Sequence, residues 1–158
     1  MANQVHELYG NRLRVRACGI LVENESILMV NHRSLAKSDF WAPPGGGVNF
    51  GETITACLQR EMLEETGLAV EAGEFLFACE FIQKPLHAIE LFFHLTRYGG
   101  VLVSGLDPEM KTEDQIIKSV RFLAWEEIQK MDTEKLHGIF RFVKQPAEIT
   151  GLRGYFKL

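Results

Sequence analysis

The sequence predicts an α+β fold, a mixed β-sheet sandwiched between helices in an α/β/α arrangement. Three observations predict it. Stretches of strand-like alternation lie on both sides of one central stretch of helical spacing, Thr53 to Thr66. The clearest alternation, His87 to Arg97, follows that helix, and further helical spacing gathers near the end of the chain. Across 158 residues no internal repeat, linker or low-complexity run appears, so a single domain over 1–158 is expected.

Taken in order, Met1 to Asn11 is a polar lead-in. Arg12 to Val22 alternates, with Arg12, Arg14 and Arg16 on one face and Leu13, Val15 and Ala17 on the other. After a turn at Glu23 to Ser26, Ile27 to Asn31 is a second strand, and the two are expected to pair as a hairpin over Arg12 to Asn31. Ser34 to Asp39 is a polar loop, and Phe40-Trp41 leads the chain into Pro43-Pro44-Gly45-Gly46-Gly47. Beyond the central helix, a strand is expected around Phe75 to Ala78 and a turn at Ile82 to Leu86. In His87 to Arg97, Ile89, Leu91, Phe93 and Leu95 oppose Glu90, Phe92 and His94. Val101 to Ile116 is mostly loop. Ile117 to Ala124 is a strand, Trp125 to Met131 a short helix, and Glu134 to Val143 a last helix with Leu136, Ile139, Phe140 and Val143 apolar. Tyr155 and Phe156 suggest that the tail docks.

Composition excludes several function classes. Net charge is −4, against a nucleic-acid surface of the usual basic kind. No apolar run approaches the ~18 residues a membrane-crossing helix requires, and the first residues lack the apolar core of a signal peptide. The three cysteines, Cys18, Cys57 and Cys79, are odd in number and lack metal-binding spacing; reduced thiols in a cytoplasmic protein are expected. Cys57 is expected to be a small buried hydrophobe.

The stretch from Gly46 to Leu68 carries the chemistry. The glycines open it with a turn in which backbone can approach a ligand, since no Cβ intervenes; Gly45 and Gly46 are candidate substrate-binding positions. Thr53 or Gly51 can cap the helix and Gly67 suits the position past its end. Ile54, Leu58 and Met62, with Cys57 beside them, make an apolar stripe that should pack on a sheet. Glu61, Glu64 and Glu65 stand at i, i+3 and i+4 and share one face. Three like charges there repel one another. Hard oxygen donors at this density suit Mg²⁺ or Mn²⁺, held by carboxylates together with waters and substrate phosphates.

The full spacing resembles the box of the Nudix hydrolases. Gly46 is followed after five residues by Glu52, after seven more by Arg60-Glu61, then Met62 as the aliphatic, Glu64-Glu65, Gly67 and the aliphatic Leu68. Seven fixed positions, each used at roughly 7%, coincide about once in 10⁸ starting points. The approach Trp41-Ala42-Pro43-Pro44-Gly45 is similar to the family as well.

The resemblance implies the Nudix fold and metal-dependent cleavage of a pyrophosphate link in a nucleoside diphosphate joined to another moiety. It implies Glu61, Glu64 and Glu65 as ligands of Mg²⁺ or Mn²⁺, a further ligand from the carbonyl of Gly46, and Glu61 as the glutamate that shares the base role. Glu52 and Arg60 are expected to orient the others. The family often adds an acidic residue from a distant loop, for which Glu109, Glu113 and Asp114 are candidates and Glu113 the choice. A small-molecule nucleotide is the implied partner, with a homodimer open because many relatives pair.

Outside the box, Arg33 and Arg16 are candidates for substrate phosphates, although Arg14 and Arg16 could equally be the wet side of an edge strand. Glu90 could look into the site or be a cross-strand charge partner; Glu80 is equally ambiguous, and His94 is expected to be structural. Pro85, 17 residues beyond Leu68, accompanies ADP-ribose activity in parts of the family. Nucleoside-triphosphate and ADP-ribose or nucleotide-sugar substrates stay open. The alternative is a Nudix domain that senses a nucleotide without cleaving it; sensors commonly lose box glutamates, and all are present here. An isoprenyl diphosphate isomerase of the same fold would show a degenerate box.

Overall fold

In the computed structural model, residues 7, 9–33, 39–103 and 117–158 are described. Alternation along the strands builds the core in two layers. In β3 (Ser26–His32), Ile27 and Met29 face one layer, while Leu28 and Val30 face the other. A strand covered on both faces carries a continuous apolar run rather than an alternating one, which is why Ile27 to Val30 shows none.

Two sheets lie between the layers. The five-stranded sheet runs β5 (Gly45–Gly47), β1 (Leu13–Ile20), β7 (Leu86–Gly100), β6 (Leu68–Gln83), β9 (Gly154–Lys157). It is mixed: β1 pairs parallel with β7 and β6 parallel with β9, and the other ladders are antiparallel. In the second sheet β3 pairs antiparallel with β2 (Val22–Glu23), β4 (Phe40–Ala42) and β8 (Ile117–Ala124).

The hairpin expected over Arg12 to Asn31 is confined to Val22–Ile27, where Asn24 and Glu25 take φ of 48° and 60°. Positive φ at both central residues is the geometry of a two-residue turn matched to strand twist. The first strand instead enters the other sheet, between β5 and β7, so it is not an edge strand.

Helix α1 (Ile54–Thr66) fits its expected span. Thr53 caps it by accepting from Ala56 N, and Gly67 ends it at φ 72°, its N–H bonded to the Leu63 carbonyl. Cys57, Leu58 and Met62 are fully buried against Ala17, Leu28, Val30, Leu95 and Val120.

The opposite layer is covered by the C-terminal elements. Helix α2 (Trp125–Lys130) forms as expected. Glu134 to Val143 is not one helix. It forms two 3₁₀ turns, Thr133–Lys135 and Gly138–Phe142, with Leu136 and His137 extended between them. There Leu136 bridges to Trp41, and His137 N donates to the Trp41 carbonyl at 2.9 Å. Two 3₁₀ turns bury the same apolar residues as a helix would, and Gly138 disfavours the helix.

A short α3 (Pro146–Ile149) precedes β9, which docks the tail on β6. Phe156 meets Phe77 edge-on at 5.8 Å and Phe142 at 5.0 Å.

Candidate functional site

The site forms where β5 meets α1. Gly45 N donates to Glu65 Oε2 at 2.9 Å, which ties the glycine strand to the last turn of the helix. Gly46 lies against Glu61: a Cβ built on Gly46 would collide with the Glu61 carboxylate. Only glycine allows that approach. The Cys57 thiol adds contacts of 3.8 Å to the Gly46 carbonyl and 3.5 Å to that of Gly47.

Arg60 gathers the acidic groups. Its Nε donates to Glu52 Oε1 at 2.7 Å and its Nη2 to Glu52 Oε2 at 2.9 Å, a two-pronged pair. Nη1 reaches Glu61 at 2.6 Å and Glu64 at 3.2 Å, and Nη2 also reaches the Gly47 carbonyl at 3.1 Å. Arg60 thus pairs with Glu52, Glu61 and Glu64 at once. The Arg60 hydrogen bond holds the Glu52 carboxyl down at about 2. Glu61 behaves in the opposite sense. Burial, then the charge of Glu65, push its carboxyl up to about 7 despite Arg60.

Glu65 is 7% exposed, and its Oε1 lies 3.8 Å from His32 Nε2. His32 was not singled out by the sequence; it precedes the candidate Arg33, which stands exposed just past β3. Arg16 does reach the site. Its Nη2 donates to the Gly45 carbonyl at 2.8 Å, and its Nη1 pairs with Glu90 at 3.0 Å. Glu90, 5% exposed, is the cross-strand partner, directly opposite Arg16 in the parallel β1–β7 ladder. Its other oxygen meets His137 Nε2 at 2.7 Å. His137 was also missed: one histidine beside Gly138 carries no spacing signal, and only the fold brings it to Glu90. Glu80 instead pairs at the surface with His87 and Tyr155. Glu109, Glu113 and Asp114 lie outside the described residues.

The donor chemistry is that of a hard divalent cation. Glu61, Glu64 and Glu65 offer carboxylate oxygens beside a glycine backbone, and what raises Glu61 is burial first and then the charge of Glu65, a repulsion that a cation relieves. Among the described residues, however, no three His, Cys, Asp or Glu are placed so that together they could hold a metal ion. Mg²⁺ commonly takes only one or two carboxylates, with waters and substrate phosphates as its other ligands. The three cysteines are buried free thiols, and burial pushes Cys57 and Cys79 up to about 12. Among the described residues no helix is long and apolar enough to cross a membrane.

Fold and box together define a Nudix domain, and the chain belongs to that family: the NUDIX domain model matches residues 12–143. Among curated relatives, an ADP-ribose pyrophosphatase of Methanocaldococcus jannaschii is 32% identical over 91 residues, covering 56% of this chain and 54% of the relative. An 8-oxo-dGTP diphosphatase of Buchnera aphidicola subsp. Schizaphis graminum is 31% identical over 87 residues, covering 54% of this chain and 65% of the relative. The chain therefore spans roughly half to two thirds of the lengths of these relatives. Among solved structures, a MutT protein from Methanosarcina mazei Go1 superposes with a TM-score of 0.66 at 19% identity, covering 84% of this chain and 90% of that one. A UDP-X diphosphatase gives 0.65 at 19% identity, covering 100% of this chain and 75% of that one. At these identities the structural likeness concerns the fold, a Nudix fold of α+β class.

Proposed function

We propose that this protein hydrolyses a pyrophosphate bond in a nucleoside diphosphate linked to another group, with Mg²⁺ or Mn²⁺ as cofactor. The observation that carries the reading is the set of box carboxylates gathered by Arg60, with Glu61 seated on Gly46. Glu61, Glu64 and Glu65 would hold the cation, with the Gly46 carbonyl adding a ligand and Glu113, outside the described residues, a further candidate. When bound, the cation would neutralise phosphate charge and lower the pKa of the attacking water.

The side chains supply the rest. Glu61, seated on Gly46 and held by Arg60, is the glutamate given a share in the base role, with Glu64 beside it. Arg60 and Glu52 hold the helix against the glycine loop and fix the carboxylates in place. Gly45 and Gly46 let substrate approach the backbone, and Arg33 is the candidate phosphate partner; Arg16, the other candidate, has its Nη atoms on Glu90 and the Gly45 carbonyl and acts on the site through that backbone.

The curated relatives are named for different substrates, ADP-ribose and 8-oxo-dGTP, so both nucleotide-sugar and nucleoside-triphosphate classes belong to the reading. The buried free thiols support a cytoplasmic location. A homodimer would form on surfaces other than the Phe156 ring, which packs within this chain.

The test is a panel of about 30 nucleotides, assayed with Mg²⁺ or Mn²⁺ for nucleoside monophosphate and phosphate release, against Glu64→Gln. Loss of one ligand-bearing carboxylate should cut turnover by roughly 10²-fold or more with the fold intact. Near-normal turnover in Glu64→Gln would overturn the assignment. Ligand-dependent thermal stabilisation with no turnover of any nucleotide would favour the sensing alternative.

A further inference from the structure

The Gly45 peptide is held from two directions. Its N–H donates to Glu65 Oε2 at 2.9 Å and its carbonyl accepts from Arg16 Nη2 at 2.8 Å. Arg16 is in turn held by Glu90 through Nη1 at 3.0 Å, and the second oxygen of Glu90 meets His137 Nε2 at 2.7 Å. His137 Nδ1 accepts from Ile139 N at 3.3 Å, so the proton lies on Nε2, aimed at Glu90. An unbroken chain of contacts thus runs from the box glutamate Glu65 through Gly45, Arg16 and Glu90 to the C-terminal turn.

We infer that Glu90 is a positioning residue for the box: through Arg16 it fixes the Gly45 peptide, and with it the seat of Gly46 against Glu61. This rests on the proposed metal-dependent reaction. Three observations support it. Glu90 and Arg16 are directly opposite in the β1–β7 ladder, so the rigid sheet sets their separation. Both Nη atoms of Arg16 are committed within the protein, so the guanidinium acts on the site through Gly45. And Glu90 lies in an apolar layer with Phe92 on its own face of β7. At such a position a well-packed hydrophobic pair commonly stabilises a fold as well as an ion pair does, so fold stability alone does not account for the charge. Partners that orient metal ligands from behind typically change metal affinity or activity 10–100-fold when removed.

The test uses Glu90→Gln and Arg16→Lys in the full chain. Four quantities are read well below the melting temperature: Mn²⁺ dissociation constant by EPR, kcat and KM on the best nucleotide, and the ¹⁵N–¹H shift of the Gly45 amide. Glu90→Gln is expected to weaken Mn²⁺ binding about 10-fold and lower kcat, with KM little changed and the Gly45 amide displaced. Arg16→Lys keeps a charge for Glu90, but one ammonium does not reproduce the fork that spans Glu90 and the Gly45 carbonyl, so the same defect is expected. A purely structural ion pair would lower the melting temperature of Glu90→Gln and leave Mn²⁺ affinity, kcat and the Gly45 amide at wild-type values in Arg16→Lys; that result overturns the inference. Should Glu90→Gln not fold, Arg16→Lys decides alone. Wild-type protein that neither binds Mn²⁺ nor turns over any nucleotide would defeat the proposed reaction itself. Wild-type binding matched by both variants would defeat only the role given to Glu90.

Discussion

The Glu61 carboxylate occupies the space where residue 46 would carry a side chain. A Cβ at position 46 would therefore displace the carboxylate of Glu61, the far end of a flexible side chain, fifteen residues on in the sequence and adjacent in the fold. Gly46→Ala is expected to push Glu61 out of place and cut turnover about 100-fold, the size of effect that an ångström of misplacement produces. Steady-state kinetics with Mg²⁺, alongside a melt to confirm folding, measures it. Turnover within twofold of wild type would show that the seat of Glu61 on Gly46 is dispensable.

Arg60 is the only cation shown touching Glu52, Glu61 and Glu64 among the described residues, and its side chain is 28% exposed. Arg60→Gln leaves three carboxylates without it. The metal-free protein should lose about 2 kcal/mol, less than a fully buried pair would cost because solvent screens part of the charge. Added Mn²⁺ should recover part of that loss by taking over the neutralising role. Urea unfolding with and without Mn²⁺ tests this; an identical loss in both conditions would count against a cation at these glutamates.

Acid sensitivity follows from Glu90. Burial pushes its carboxyl up, but His137 and the Arg16 guanidinium outweigh burial and hold it at about 2, below the ordinary 4.5. A carboxyl lowered by folding stabilises the fold above its unfolded pKa and loses that contribution as pH falls towards its folded one. Wild type should therefore lose stability between pH 4.5 and about 2. Glu90→Gln should lack that component, so its deficit against wild type shrinks as pH falls through the window. Urea midpoints from about pH 6 down to about pH 3 check it. A constant gap would mean the Glu90 charge contributes nothing.

Phe156 anchors β9 between Phe77 and Phe142. Its ring is only partly buried, so Phe156→Ala should cost about 2 kcal/mol, below the range for a fully enclosed phenylalanine. Turnover should be retained at temperatures where the variant is folded. Denaturant unfolding and kinetics together separate these effects; an unchanged midpoint would mean that β9 is not held by this ring.

What the sequence revealed was what is local. Thr53, the apolar stripe and Gly67 lie within one stretch, so the box helix and its glutamate face were legible before any fold was known. The β1–β7 ladder was not, because Arg16 and Glu90 are 74 residues apart and neither flanking segment encodes the register. His137 was hidden for the same reason, 47 residues from Glu90. In β7 alternation gave the strand but not which face is covered where: Glu90 and Phe92 lie against the C-terminal turns at His137, while Phe93 and Leu95 join the α1 layer. Leu136 to Val143 misled because apolar residues at i, i+3, i+4 and i+7 satisfy two 3₁₀ turns as readily as one helix, and at Leu136 the chain instead bridges to Trp41 of β4, far away in sequence.

The five-stranded sheet also bears on how the chain is made. Its two parallel ladders join Leu13–Ile20 to Leu86–Gly100 and Leu68–Gln83 to Gly154–Lys157, and within it only the β6–β7 hairpin joins sequence neighbours. Pairings of that span close late, after local hairpins. A chain in which residues 154–157 are unpaired carries β6 with an open edge, and an uncovered edge is a template for pairing with another chain. The four residues of β9 therefore act as a seal on that edge of the sheet.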